Sequence, residues 1–223
     1  MNFDIQERLT AFAMLGATWV MWLLVLLSIV CLAIVLERAW FLIAARVDVH
    51  QLREDMLTRL RAKDFEGAKR LLGASKSFEA KVVHAGLEVA EKGPAAAEER
   101  MASESRLARL SMERNLAFLG TVGNNAPFIG LLGTVIGIIR AFHELNESAG
   151  QVTQGLMADV GEALVATAIG LLVALPAVAF FNLFQRMIRA RLGHADALGN
   201  ELLSFLKALP EDESLADASA AAE

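Results

Sequence analysis

Two apolar segments hold the groups most able to do chemistry. One is Asn125-Ala-Pro-Phe-Ile-Gly-Leu-Leu-Gly-Thr-Val-Ile-Gly137, which contains Thr134. The other is Gly161-Glu-Ala-Leu-Val-Ala-Thr-Ala-Ile-Gly170, which contains Glu162 and Thr167. A polar side chain set in hydrocarbon is costly and usually has a partner or a task. A hydroxyl both donates and accepts hydrogen bonds. A threonine can therefore orient or pass a proton, but it cannot store one.

The elements that must position these groups follow from hydropathy and charge. The chain has 223 residues, 55% of them hydrophobic and 21% charged, and a mean hydropathy of +0.45. The charges are segregated: Leu9–Leu36, Asn115–Ile139 and Ala163–Gln185 carry none. A helix needs about 20 predominantly apolar residues to cross a bilayer, and all three stretches qualify. The expected fold class is an all-α integral membrane protein with three transmembrane helices, at residues 17–45, 115–142 and 160–185.

Lysine and arginine concentrate on the cytoplasmic side of membrane spans. Glu37–Arg114 carries fifteen of the 21, and Arg186, Arg189, Arg191 and Lys207 follow the third span. Only Arg8 precedes the first span, and only Arg140 lies between the second and third. Residues 1–16 and the connection at 143–159 are thus expected outside, with the helical segment 46–114 and a helix at 186–210 in the cytoplasm. The acids Asp4 and Glu7 beside Arg8 do not make the positive n-region of a cleavable signal peptide. Phe3, Ile5, Leu9 and Phe12 suggest a short interfacial helix over Met1–Leu15.

Within the inner segment Leu52, Met56 and Leu60, then Val82, Val83 and Leu87, recur at helical spacing among charges. Gly73–Ser77 and Glu91–Pro94 read as turns. No breaker appears from Ala95 to Gly120, so one helix is expected to run straight into the second span. The third span is likewise expected to continue to about Pro210, giving long helices that extend into the cytoplasm. Residues 211–223 are acidic and alanine-rich, the composition of a disordered tail.

Small residues form stripes. Ala126, Gly130, Gly133, Gly137 and Ala141 fall three or four apart in the second span, as do Ala163, Ala166, Gly170, Ala174 and Ala177 in the third. Such stripes let helix backbones approach closely where water cannot drive apolar association. They serve either packing of the two spans within one chain or contact with a neighbouring subunit or pore. Thr134 lies six residues from Arg140, about 9 Å along a helix, and Thr167 seven from Val160, about 10 Å. The two hydroxyls are expected at similar depth. Each competes with a simpler role, a bond to the carbonyl one turn back. Glu162, with Asp159 before it on the same face, also reads as a boundary acid near a helix N-terminus, where the dipole favours it. Asn124, Asn125 and Asn182 suit capping or cross-linking of helices.

Several functions find little support. No basic tract interleaved with aromatics points to nucleic acid. His143-Glu-Leu-Asn-Glu147 starts like a zinc-protease helix but has glutamate where the second histidine ligand is required. Neither a phosphate loop nor a nucleophile elbow is present, so no enzyme, metal or cofactor is expected. A solute transporter with its own site would show internal repeats and a midplane charge. A passive membrane scaffold remains the alternative. The single cysteine, Cys31, cannot form an internal disulfide. Asn146-Glu-Ser148 fits a glycosylation sequon by only three residues.

The pattern Asn-x-Ala-Pro-x-x-Gly-Leu-Leu-Gly-Thr-Val-x-Gly from Asn124, with Glu-Ala-Leu-x-Ala-Thr-Ala-Ile-Gly-Leu from Glu162 and Pro176-Ala, resembles the ExbB/TolQ/MotA proton-channel family, on its ExbB/TolQ side. Glu37-Arg38 and Asn182 are similar too, and the order of one span, a large cytoplasmic segment and two spans agrees. The resemblance implies a multi-pass subunit of an ion-driven motor in the bacterial inner membrane, N-terminus periplasmic and C-terminus cytoplasmic. It implies a homopentameric ring around two single-span partners of the ExbD/TolR type, each bringing a membrane aspartate. Such motors drive TonB-type uptake, Tol–Pal-type envelope maintenance or gliding motility, and the motif implies a proton as the ion. Residue by residue, Thr134, Glu162 and Thr167 match ion-path positions, while Gly130, Gly133, Gly137, Gly170, Pro127 and Pro176 serve helix packing. The chain places no titratable group near the bilayer midplane, so a partner's aspartate would supply the proton store that threonines lack.

Overall fold

The computed structural model describes residues 16–45, 47–148 and 151–208. Every regular element among them is helical. In chain order these are α1 (Thr18–Ala44), α2 (Val49–Arg61), α3 (Phe65–Ala74), α4 (Phe78–Glu88), α5 (Pro94–Glu113), α6 (Leu116–Glu147) and α7 (Gln154–Ala208), with a 3-10 turn at Ala90–Lys92. By length and composition α1, α6 and α7 can each cross a membrane. The expected interfacial helix at Met1–Leu15 and the tail at 211–223 lie outside the described residues.

The chain divides into two units. The first holds the described residues up to Glu37 together with Asn115–Leu183, that is, most of α1, all of α6 and the first part of α7. Its contact is built from small residues running in opposite directions along α6 and α7. Gly120 meets Phe181, Gly123 meets Val178, Gly130 meets Ala166 and Thr167, and Gly137 meets Ala163. At Gly130 an added Cβ would lie 2.8 Å from the carbonyl oxygen of Ala166. At Gly170 it would lie 2.7 Å from that of Ala126. Of the two roles left open for the stripes, packing within one chain is realised at these positions. α1 joins where Val20 faces Gly133.

The outer surface of this unit is apolar. Trp22, Phe128, Phe142 and Leu172 are each more than two-thirds exposed, the inverse of a water-soluble helix bundle and suited to lipid or neighbouring subunits. Pro127 sits inside α6 and Pro176 inside α7. Each removes the amide that would bond the carbonyl four residues earlier, yet both helices run through.

The second unit comprises the described residues of Arg38–Arg114 and those from Phe184 to Ala208. Here the packing resembles that of a soluble domain. Leu52, Met56 and Leu60 of α2 and Val83 and Leu87 of α4 are buried with Leu198 and Leu202 of α7. Polar caps start the short helices: Asp48 accepts from His50 and Gln51 amides, Asp64 from Gly67, and Ser77 from Ala80. The turn between α2 and α3, with Lys63 at φ 58°, was not evident from composition, although Asp64 is its capping signal. Arg191 is buried beside Glu79 at 3.6 Å, donates to the Ala45 carbonyl at 2.6 Å and lies 5.5 Å over the Phe78 ring.

Two expectations need correction. The helix expected to run unbroken from Ala95 into the second span is interrupted at Arg114 and Asn115. Arg114 is extended at ψ 134° and Asn115 is left-handed at φ 64°, a conformation asparagine tolerates because its short side chain can bond locally. The third span was expected to start near Val160, but α7 begins at Gln154, with Thr153 Oγ1 accepting from the Leu156 amide. Glu162 is therefore more than two turns into the helix and is not a dipole-favoured N-terminal acid.

Ala substitution at Gly130 or Gly170 drives a methyl group into backbone and is expected to destabilise by about 1–3 kcal/mol. At Gly161, where an added Cβ meets nothing within 4 Å, the same change is expected to be neutral. Thermal unfolding of the detergent-purified variants distinguishes the two.

Candidate functional site

The three polar residues singled out in the sequence meet different surroundings in the first unit. Thr167, half-buried on α7, donates through Oγ1 to the carbonyl of Gly130 on α6 at 3.1 Å. It reaches a different helix because Gly130 and Gly170 bring the two backbones together at this level. A bond of this kind is worth about 0.6 kcal/mol in a membrane protein, and it fixes where the hydroxyl points. Thr134, also half-buried, donates to the carbonyl of Leu131 on its own helix at 2.6 Å. That is the local role, and the two threonines do not bond each other. Asn125 likewise donates to the Thr121 carbonyl of its own helix at 2.8 Å rather than cross-linking helices.

Glu162 is half-buried, and its Oε1 accepts from Thr18 Oγ1 at 2.7 Å. Thr18 is the first residue of α1, so this bond joins the start of one helix to the third turn of another. Nothing in the spacing of the sequence signalled it, because 144 positions separate the pair. Asp159, one turn before Glu162, is buried and pairs with Arg140 of α6 at 3.2 Å. Farther toward the connection Thr153 Oγ1 donates to Glu144 Oε1 at 2.6 Å. One end of the α6–α7 hairpin thus gathers Arg140, Glu144, Asp159 and Glu162.

Farther along the hairpin the polar groups change character. Between Glu162 and Arg186 α7 carries no ionisable side chain, and α6 carries none between Leu116 and Ile139. Only hydroxyl, amide and backbone groups are available there. The arrangement can relay or orient a proton along hydroxyls and carbonyls, with carboxylates at one end only. A groove of about 320 Å³ beside it, lined by Ile138, Phe142, Leu145, Val152, Leu156 and Val160 among others, is apolar and adds no ligand for an ion.

Arg38 is fully buried in the second unit, donates to the Ser111 carbonyl at 3.0 Å and lies 4.6 Å over the Phe41 ring. His143 pairs with Glu147 at 3.3 Å across one helical turn.

Replacing Arg140 by leucine leaves the buried Asp159 carboxylate without its cation and is expected to destabilise by about 1–3 kcal/mol. Removing both, as Arg140→Leu with Asp159→Leu, is expected to cost less than that single change. Thermal melts of the single and double variants give the coupling.

The model of the MotA/TolQ/ExbB proton channel family matches residues 74–196, more than half of the chain. An ExbB-like biopolymer transport protein of Helicobacter pylori is 43% identical over 84 residues, covering 38% of this chain and 56% of that protein. Biopolymer transport protein ExbB of Aquifex aeolicus is 36% identical over 106 residues, covering 48% and 71%. Tol-Pal system protein TolQ of Pseudomonas aeruginosa is 37% identical over 95 residues, covering 43% and 41%. The chain thus spans roughly two-fifths to seven-tenths of the length of these relatives. With its three apolar helices long enough to cross a membrane, the chain belongs to the MotA/TolQ/ExbB proton channel family.

Proposed function

We propose that this chain is the multi-pass subunit of a proton-driven motor in the bacterial inner membrane, working with a single-span partner of the ExbD/TolR type to convert proton motive force into mechanical work on the cell envelope. The work is that of a TonB-type uptake, Tol–Pal-type or gliding machine. The subunits form a ring, a homopentamer, around two partner copies. The distribution of lysine and arginine supports a periplasmic N-terminus and a cytoplasmic C-terminus. The reading assigns the chain no enzymatic reaction of its own.

The observation that carries the proposal is the gap between carboxylates and hydroxyls. Thr134 and Thr167 lie in stretches of α6 and α7 without any ionisable side chain, and Glu162 stands at one edge of them. A threonine does not ionise at physiological pH, so a proton moving past these hydroxyls needs an acid from elsewhere. An aspartate on the partner's span fits that need. Thr167, Thr134 and Glu162 then polarise it, and its protonation cycle turns the partner against the ring. Each charge that crosses delivers about 2.3 kcal/mol per 100 mV.

A second reading, a membrane scaffold without ion conduction, is favoured by one observation: both threonine hydroxyls already have a partner within a single chain. On that reading Thr167 is a packing residue. Thr167→Val separates the two. The motor reading expects normal assembly and co-purification of a single-span partner with a membrane acid, but loss of energy-dependent work in a complemented deletion strain. Full work from that variant overturns the relay role. Purification without any such partner overturns the motor itself.

A further inference from the structure

We propose that Thr18 is the positioning residue for the Glu162 carboxyl group, holding it in one orientation whether it is charged or neutral; this rests on the ion-path reading of Glu162. A glutamate side chain rotates about three bonds, and a lone half-buried carboxyl group on a helix face would sample several rotamers. Here the hydroxyl of Thr18 meets Oε1 at 2.7 Å and is the hydrogen-bond partner of Glu162 among the described residues.

The position of that hydroxyl is set by its neighbours. Ala17 and Val20 are buried, at 3% and 0% exposure, and both Val20 and Met21 donate to the Ala17 carbonyl, which starts α1. Val20 packs against Gly133 of α6. Gly16, just before, takes φ 78°, a backbone angle that favours glycine. A Cβ added there would lie 2.7 Å from Nη1 of Arg140. The first turn of α1 is therefore fixed against α6, and Thr18 is delivered to Glu162 by packing and not by a free side chain.

The chemistry suits a group that changes charge. A hydroxyl donates one bond and accepts two, so Thr18 can donate to the carboxylate and accept from the neutral acid without moving. A fixed cation would bind only the charged form. Among the described residues the cation in this region, Arg140, is engaged by Asp159 at 3.2 Å, and Glu144 is engaged by Thr153. The other charged groups of the hairpin end thus have partners of their own.

The test uses full-length protein in native membranes, with Thr18→Val, Thr18→Ala, Thr18→Ser and Glu162→Gln. Assembly is followed by size-exclusion chromatography, and reaction of Glu162 with a hydrophobic carbodiimide by mass spectrometry. With Oε1 released, Thr18→Val is expected to assemble normally, label at least about threefold faster and lose about tenfold in energy-dependent work, the effect of one lost bond to a charged group. Thr18→Ser keeps the hydroxyl and is expected to restore both readouts. Unchanged labelling and work in Thr18→Val, in a strain where Glu162→Gln abolishes work, overturns the role of Thr18 alone. Full work from Glu162→Gln overturns the ion-path reading beneath it. Loss of assembly in both Thr18→Val and Thr18→Ala makes the hydroxyl a packing contact and also overturns the proposal.

Discussion

Close backbone contact between α6 and α7 is the constraint on which the first unit depends. At Gly130 and Gly170 each helix presses on the other's main chain, with no room for a single methyl group. In a bilayer the hydrophobic effect does not push helices together, so association relies on van der Waals contact and on hydrogen bonds between helices. The glycines supply the first. The Thr167 bond to the Gly130 carbonyl supplies the second, and it exists only because the backbones are this close. Register then follows: once Gly130 faces Thr167, Gly137 must face Ala163 and Gly120 must face Phe181.

That register distributes the polar groups. It places Asp159 against Arg140 and Glu144 beside Thr153, so two of the four charged groups at the hairpin end pair with each other and a third is held by a hydroxyl. Glu162 is left to a hydroxyl from α1. The distinction matters for function. The cation beside Asp159 is a partner for the charged carboxylate alone, whereas a hydroxyl can donate to a carboxylate or accept from a neutral carboxyl group. Thr134 and Thr167 differ in the same spirit. The first bonds its own helix and the second bonds across to α6, so only Thr167 senses the separation of the two helices.

The second unit is stabilised by other means. Its short helices are set by Asp48, Asp64 and Ser77 caps and closed over a core of Met56, Leu60, Leu72, Leu87 and Leu202, each almost fully removed from solvent. A buried charge costs free energy unless paired and hydrogen-bonded. Arg191 meets that requirement with Glu79, the Ala45 carbonyl and the Phe78 ring. This water-type packing explains why the hydropathy of residues 46–114 looked ordinary while the spans did not.

Periodicity and composition by themselves determined the helices that can cross a membrane, the small-residue stripes and the helical character of the inner segment. Those properties are local, set by runs of about twenty apolar residues and by the 3.6-residue turn. The motif around Thr134, Glu162 and Thr167 was also enough to indicate the family. The break at Arg114–Asn115 escaped, because an asparagine in the left-handed region leaves no mark in composition. The early start of α7 at Gln154 escaped because a span's apolar length and its helical length are different quantities. Only the tertiary structure decided that Thr134 bonds its own helix while Thr167 bonds α6, and that Glu162 meets Thr18. The physical reason is sequence distance: contacts across 37 and 144 positions depend on how helices pack, and no spacing rule along the chain encodes that.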